Sequence, residues 1–187
     1  MSSIFAKSSG TSLTSNFYLQ NFYKHNRNAY KASARNDYTK TELSYEDSRA
    51  LKRAARELAS YEYSGEENGS NIVNNIKAFV ETYNNTLSSS NTKGTDAYRY
   101  NKQLQRLTKE YEDEFKDIGI TIKKDGTLSI SENILEGASY KEVKKIFSKE
   151  EKYTNRLHSI AKRMNSNSYD EIYTQLTGNG GHLNITL

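Results

Sequence analysis

Residues 71–87 read NIVNNIKAFVETYNNTL, and apolar side chains return in this stretch at every third or fourth position. The repeating positions are Ile72, Val73, Ile76, Phe79, Val80, Tyr83 and Leu87. An α-helix turns once in about 3.6 residues, so this spacing places the apolar side chains on one face. The stretch predicts an amphipathic helix over 72–88 and a chain built mainly from helices.

The same spacing occurs on both sides of this stretch. Upstream, Leu51, Ala54, Ala55 and Leu58 share one face of a helix predicted over 44–61, for which Ser44 and Asp47 have the spacing of a capping box. Downstream, the apolar positions run Ala97, Tyr100, Leu104, Leu107, Tyr111 and Phe115. They predict a helix over 96–117 that packs against the helix at 72–88 as an antiparallel hairpin with coiled-coil-like spacing.

After residue 118 the apolar spacing changes to two. Ile120 and Ile122 precede Asp125-Gly126, and Leu128 and Ile130 follow, which predicts a small β-hairpin over 120–130. Two further capping-box spacings follow, Ser139 with Glu142 and Ser168 with Glu171. The first predicts a helix over 140–164, and the second predicts the start of another helix.

These patterns predict a mainly α protein, an antiparallel helical bundle with one small β-hairpin. Proline is absent from the 187 residues, which suits long helices because proline is the strongest helix breaker. We expect a flexible or loosely docked N-terminal segment at 1–40, the bundle with its hairpin at 41–176, and a flexible tail at 177–187. The glycines of SGEENGS at 64–70 predict a turn between the first two helices of the bundle.

The sequence contains few residues suited to catalysis or metal binding. There is no cysteine, and the three histidines, His25, His158 and His182, have no second ligand at metal-binding spacing. We interpret His158 as a partly exposed helix residue. No phosphate-binding glycine loop or nucleophile motif occurs, so we predict no catalytic residue, cofactor or metal and a protein that is not an enzyme. No apolar run is long enough to cross a membrane, and we expect no membrane insertion.

Two groups of residues are candidates for a partner surface. The first is an aromatic stripe, Phe17, Tyr18, Phe22 and Tyr23, which would be a contact surface if it is not folded back on the bundle. The second is the basic helix face at 49–56, represented by Arg49, Arg53 and Arg56. The net charge is +4, and residues 1–62 hold ten Lys/Arg against six Asp/Glu.

The basic face allows an alternative function, a cytoplasmic nucleic-acid or regulatory binder, because phosphates bind clustered cations. Glu46, Asp47 and Glu57 lie among these cations in the sequence and dilute their charge. We therefore favour an ordinary solvated helix face and do not expect nucleic acid as the main partner.

Three sequence features between residues 72 and 147 occur in the order known from one protein family. The first is the helix carrying Phe79, Val80, Tyr83 and Asn84, and the second is IGITIKKDGTLSI at 118–130. The third is the following helix, which ends in Ile146-Phe147. In this order they resemble the C-terminal stem region of the flagellar filament-cap protein, also called hook-associated protein 2.

The resemblance implies a structural or assembly protein whose partners are flagellar components or further copies of itself. It implies a location in the bacterial flagellum or secretion through the flagellar export route, with the cytoplasm as the alternative. The chain is too short for the long terminal arms and the inserted domain pair that are usual in that family, which leaves capping activity an open question.

Overall fold

The computed structural model describes residues 13–63 and 69–179, with the side chain of Asn179 excepted. The first twelve residues of the predicted N-terminal segment, most of the SGEENGS turn and residues 180–187 of the predicted tail lie outside the described residues. His182 lies outside them as well.

The described residues form eight α-helices and one two-stranded sheet. The helices are α1 (Ser15–Phe22), α2 (Lys40–Ser60), α3 (Gly69–Ser89), α4 (Asp96–Lys109), α5 (Glu112–Asp117), α6 (Glu132–Gly137), α7 (Tyr140–Phe147) and α8 (Lys152–Asn179). The strands are β1 (Ile120–Ile122) and β2 (Leu128–Ile130), and a 3₁₀ turn covers Arg35–Asp37. The predicted helical bundle with a small hairpin is confirmed.

Helix α2 lies at the centre of the bundle. It makes its most extensive contact with α8, its next with α3, and smaller contacts with α1 and α7. Four side chains of its apolar face, Leu51, Ala54, Ala55 and Leu58, are fully buried, as their spacing predicts. Because neighbours cover it on several sides, its remaining exposed face is narrow and mostly charged.

The beginning of α2 differs from its predicted position. The helix starts at Lys40, where Thr39 Oγ1 accepts from the Glu42 N–H at 3.2 Å and Glu42 Oε2 accepts from the Thr39 N–H at 2.7 Å. The predicted box at Ser44 and Asp47 is wrong, since both residues lie inside the helix. Their spacing matches a capping box, but their side chains face other elements of the bundle.

Helix α3 forms as its spacing predicts, and it carries the aromatic centre of the core. The rings of Phe79 and Phe147 pack edge-on with their centroids 5.3 Å apart. Phe147 in turn contacts Phe115 and Tyr153, with centroid distances of 6.0 and 6.1 Å. Aromatic rings from four helices thus fill the core, and their large size compensates for the small number of apolar residues in the chain.

The predicted helix over 96–117 is interrupted in the structure. Helix α4 ends at Lys109 and α5 begins at Glu112, with Tyr111 in a non-helical conformation between them. The break lets Tyr111 and Phe115 both reach the ring of Tyr153, at 5.2 and 5.1 Å between centroids. The prediction that α4 packs mainly against α3 is also wrong, because α4 packs chiefly against α8.

The β-hairpin is confirmed over 120–130. Ile120 pairs with Ile130, and Ile122 pairs with Leu128. The turn closes through Gly126 N–H to the Lys123 carbonyl at 2.9 Å and Lys123 N–H to the Thr127 carbonyl at 2.8 Å. Gly126 has φ of +86°, the left-handed conformation that glycine adopts without a steric cost. The hairpin packs against α3 and α5.

The C-terminal third contains two helices where the sequence predicts one over 140–164. The box of Ser139 and Glu142 caps α7 as predicted, but α7 ends at Phe147 and α8 begins at Lys152. The turn between them lets Phe147 and Tyr153 face the same aromatic cluster, and the Thr154 hydroxyl donates to the Ile146 carbonyl at 3.0 Å.

Helix α8 continues without interruption to Asn179. The predicted helix start at Ser168 is wrong, because the Ser168 hydroxyl lies 3.0 Å from that of Ser44 and fastens α8 to α2. Glu171 accepts from the Thr41 hydroxyl at 3.3 Å along the same contact. The predicted tail therefore begins too early, since residues 177–179 are still helical. Within the described residues, no helix is long and apolar enough to cross a membrane.

Candidate functional site

Three of the four residues in the predicted aromatic stripe are buried. Tyr18, Phe22 and Tyr23 are folded back into the core, so the condition for their predicted role as a contact surface is not met. Helix α1 lays this face on α2 and α3 because the rings bury a large apolar area there. Phe17 alone remains accessible, with 47% of its surface exposed.

A buried polar network anchors the segment that follows α1. Asp47 accepts from the Tyr23 hydroxyl at 2.7 Å and forms a two-pronged ion pair with Arg35, at 3.0 and 2.7 Å. Burial and the neighbouring Asp47 carboxylate raise the pKa of Tyr23 well above its usual value. Arg35 also donates to the Ala29 carbonyl. Residues 23–35, which the sequence places in the flexible or loosely docked segment, are thus connected to the centre of α2.

The second predicted group, the basic face of α2, is partly accessible: Arg56 is exposed, and Arg49 and Arg53 are half-buried. Tyr45, Arg49, Lys52 and Arg56 follow one another at spacings of four, three and four residues, which places them on one line along the helix. Arg53 lies beside this line and donates to the Phe22 carbonyl. The line runs along the edge of α2 that borders α8.

Helix α8 contributes a matching line. His158, Lys162, Asn165, Tyr169 and Tyr173 follow one another at spacings of four, three, four and four residues. The two lines run antiparallel, because Tyr45 packs against Tyr169 and, further along α2, Lys52 Nζ donates to Asn165 Oδ1 at 3.3 Å. The Asn165 amide also donates to the Tyr45 carbonyl at 2.9 Å. We call the five cationic and imidazole side chains along this contact, Arg49, Lys52, Arg56, His158 and Lys162, the basic seam.

The side chains of the basic seam act on each other's charge. The pKa of Lys52 is lowered, first by burial and then by Arg49, Arg53, Arg56 and Lys162. The pKa of His158 is lowered by burial and then by Arg56, Lys52 and Lys162. Each helix therefore places positive charge within the field of cations on the other helix, which concentrates a charge that neither helix holds alone.

Four cations in and beside the seam lack the carboxylates that would neutralise them. Among the described residues, no carboxylate lies within 4.0 Å of a charged nitrogen of Lys52, Arg53, Arg56 or Lys162. Like charges held together without paired carboxylates repel each other, which makes such a surface a natural site for anions.

The acidic residues that dilute this charge in the sequence are engaged elsewhere. Asp47 is paired with Arg35, and Glu57 accepts from the Asn21 amide at 2.6 Å. Glu46 is only 2% exposed, and burial raises its pKa to about 7, so that near neutral pH it carries only part of a negative charge. In the folded protein these three carboxylates therefore reduce the positive charge of the basic face less than their positions in the sequence predict.

Tyrosines continue the two lines beyond the basic seam. The rings of Tyr45 and Tyr169 pack at 6.0 Å, and the Arg49 guanidinium lies 5.6 Å from the centroid of Tyr45. Tyr169 and Tyr173 are 37% and 58% exposed. One surface thus combines clustered cations with accessible aromatic rings.

Other surfaces of the molecule offer weaker candidates. A groove of about 510 Å³ between α4 and α8 is lined by Arg106, Leu107 and Arg163, and at its side Arg156 is paired with Glu110. No group of three or more acidic, histidine or cysteine side chains suited to a metal ion occurs in the part of the chain that the structure describes. His25, on the segment after α1, lies within the field of Arg49 and Arg53, and its pKa is lowered by burial and then by Arg49, Arg53 and Lys24.

The sequence analysis did not identify the contribution of α8. Dividing this region into a helix to 164 and a new start at 168 conceals the line from His158 to Tyr173. That line could be found in the sequence as a four, three, four, four spacing, but only once the region is treated as one helix.

No family model matches the chain, and no curated protein or solved structure matches it. The resemblance to the filament-cap family therefore stays a prediction.

Proposed function

We propose that this chain is a non-enzymatic binding protein that takes a multiply charged anionic partner on its basic seam. The observation that carries the proposal is the convergence of Lys52, Arg56 and Lys162, which have no carboxylate within 4.0 Å among the residues that the structure describes. Lys52 and Arg56 come from one helix and Lys162 from the other, so the charge density is a property of the fold.

The energetics of such a surface favour a chain of negative charges over a single ion. Each protein cation that neutralises a phosphate releases condensed counterions from the polyanion, and for B-DNA the logarithm of the binding constant falls with the logarithm of salt by about 0.9 per contact. For about four contacts, affinity should fall by roughly 100-fold between about 50 and 200 mM salt. If the charged surface has no role in binding, the protein should bind a polyanion weakly at both salt concentrations.

The test is binding of inorganic polyphosphate, measured by isothermal titration calorimetry. Replacing Lys52, Arg56 and Lys162 together by Glu should weaken binding by at least about tenfold, because three contacts become repulsive. The matched control replaces Lys116, Lys123 and Lys124 by Glu, which changes the net charge equally at exposed positions around the hairpin. Circular dichroism verifies that both variants are folded.

The control variant should retain most of the affinity. Equal losses in the two variants would show that net charge alone attracts the polyanion, and the proposed site would then be wrong. Absence of polyphosphate binding by the unaltered protein at low salt would contradict the proposed function itself.

A second candidate is a flagellar assembly protein of the filament-cap type, exported through the flagellar route. It is supported by the order of α3, the β-hairpin and α7 between residues 72 and 147, which follows the order of the sequence resemblance. This candidate acts through contacts with flagellar components or further copies of the chain. Its signature in solution is a particle several times heavier than the 21.4 kDa chain.

A further inference from the structure

We infer that the anionic partner is a single-stranded nucleic acid whose phosphates lie on the basic seam and whose bases stack on Tyr169 and Tyr173. The inference rests on the proposed function, because it names the partner class of the same surface. It also gives a role to the exposed tyrosine rings, which a simple polyanion would not contact.

The dimensions of the surface suit a short strand. His158 and Tyr173 are fifteen positions apart on one straight line of α8, which corresponds to about 22 Å along the helix. A stacked strand advances about 3.4 Å per nucleotide, so this length accommodates about six nucleotides. Lys162, with Lys52 and Arg56 of α2, and the tyrosines at 169–173 would then contact different parts of one bound strand.

The tyrosine rings are suited to stacking. Tyr173 is 58% exposed, and no other described aromatic ring packs against it. Tyr169 is held by its contact with Tyr45 while 37% of its surface stays accessible. Stacking of a base on an aromatic ring tolerates any base and contributes strongly to binding of single strands.

The acidic residues near the tyrosines lie on a different face of α8 from the tyrosine rings. A separate cleft lies between the start of α4 and α8, and it is lined by Asp96 of α4 and by Asp170 and Glu171 of α8. Asp170 lies about 100° around the helix from Tyr169, so the acidic cleft is turned away from the line of tyrosines. A strand can thus reach the rings from the basic seam without crossing the acidic cleft.

Other anionic partners would use only half of this surface. An acidic protein segment is held by the cations and has no bases to stack. A duplex keeps its bases stacked inside, and its phosphates would contact the seam while the tyrosines make no contact with bases. The combination of cations and exposed rings on one line therefore favours a single strand over both.

The experiment measures fluorescence anisotropy of a labelled oligothymidylate of about 12 nucleotides, with the full chain at low salt. Replacing Tyr169 and Tyr173 by Ala should weaken binding at least about fivefold per tyrosine, whereas replacing both by Phe should preserve it, because Phe retains the ring. Inorganic polyphosphate should bind all three proteins equally. Phe17→Ala is the matched control, an exposed aromatic residue away from the seam.

Each alternative result overturns a defined part of this inference. If the Ala variants bind the oligonucleotide as tightly as the unaltered protein while the Glu variant of the seam does not, stacking is excluded and the polyanion function stands. If poly-L-glutamate competes as well as the oligonucleotide at equal charge, the partner is an acidic protein segment. If neither polyphosphate nor the oligonucleotide binds, the proposed function fails together with the inference.

Discussion

Among single residues, Glu46 shows how position in the fold changes a side chain's chemistry. Its neighbour Asp47 is fully buried and forms a two-pronged ion pair with Arg35. Glu46 is buried with only a long hydrogen bond from the Asn26 amide, 3.5 Å, and burial outweighs the opposing effect of Arg49 on its pKa. The two adjacent carboxylates of α2 therefore have different partners, a guanidinium for Asp47 and an amide for Glu46.

The raised pKa of Glu46 makes the stability of the protein depend on pH. The pKa of Glu46 is raised from 4.5 to about 7, so between these values the folded protein holds a proton that the unfolded chain releases. The contribution of Glu46 to stability is therefore lost as pH rises through this window. One pKa unit corresponds to about 1.4 kcal/mol, which makes the full loss about 3 kcal/mol.

Glu46→Gln should remove this dependence. We expect the stability gained by the variant to be about 2 kcal/mol larger at about pH 8 than at about pH 5, because the amide never ionises. Urea denaturation at the two pH values measures the difference. Glu62→Gln, which changes an exposed carboxyl of the same type, is the control. A gain that is equal at both pH values would show that Glu46 ionises normally in the folded protein.

At the level of elements, one local pattern has different outcomes in different places. The capping-box spacing occurs at Ser44 with Asp47, at Ser139 with Glu142 and at Ser168 with Glu171. Only the box at Ser139 caps a helix. Ser44 and Ser168 instead meet each other between α2 and α8. The spacing alone cannot distinguish these cases, because the same residue types at the same spacing also occur inside helices, where tertiary contacts decide the role of their side chains.

The connection between α5 and β1 depends on a glycine. Gly119 has φ of +78°, and a Cβ placed there would lie 2.8 Å from the Ile134 Cβ and 2.9 Å from the Ser131 carbonyl oxygen. The Ser131 N–H donates to the Gly119 carbonyl at 2.8 Å, so the hairpin closes on this residue. The position requires both a left-handed backbone and the absence of a side chain.

Gly119→Ala and Gly94→Ala separate these two requirements. Gly94 has φ of +89°, but no heavy atom lies within 4 Å of the place that an added Cβ would take, so its substitution costs only backbone strain, about 1–2 kcal/mol. Gly119→Ala adds a steric clash and should cost at least about 1 kcal/mol more. Urea denaturation of both variants gives the comparison. Equal losses of stability would mean that α6 moves aside without cost.

For the whole molecule, accessible apolar surface is sparse. The large apolar side chains exposed among the described residues are Phe17, Ile134, Tyr169 and Tyr173. Only the last two are neighbours on one helix face. A stable interface between copies needs about 1,000 Å² or more of complementary surface, and these scattered side chains do not form such a surface.

The particle in solution should therefore have the mass of one chain, 21.4 kDa. Light scattering at low and moderate salt measures this mass. A monomer at both salt concentrations agrees with a binding protein that uses the basic seam. A ring-sized particle would instead support the assembly candidate and would direct attention to the segments outside residues 13–179.

The sequence by itself determined the helical class, the position of α3, the hairpin at 120–130 and the cap of α7. These features depend on residues that are close together in the sequence, so the spacing of side chains predicts them. It also identified the basic face of α2 with Arg49, Arg53 and Arg56.

Only the tertiary structure decided which of these side chains are accessible and which meet. Tyr18, Phe22 and Tyr23 fit an exposed stripe equally well in the sequence, but packing against α2 and α3 buries them. The basic seam joins Lys52 to the region of Asn165, more than one hundred positions away. Such contacts depend on how the helices pack and on which residues pair with the carboxylates of α2. Local spacing in the sequence predicts neither the packing nor the pairing.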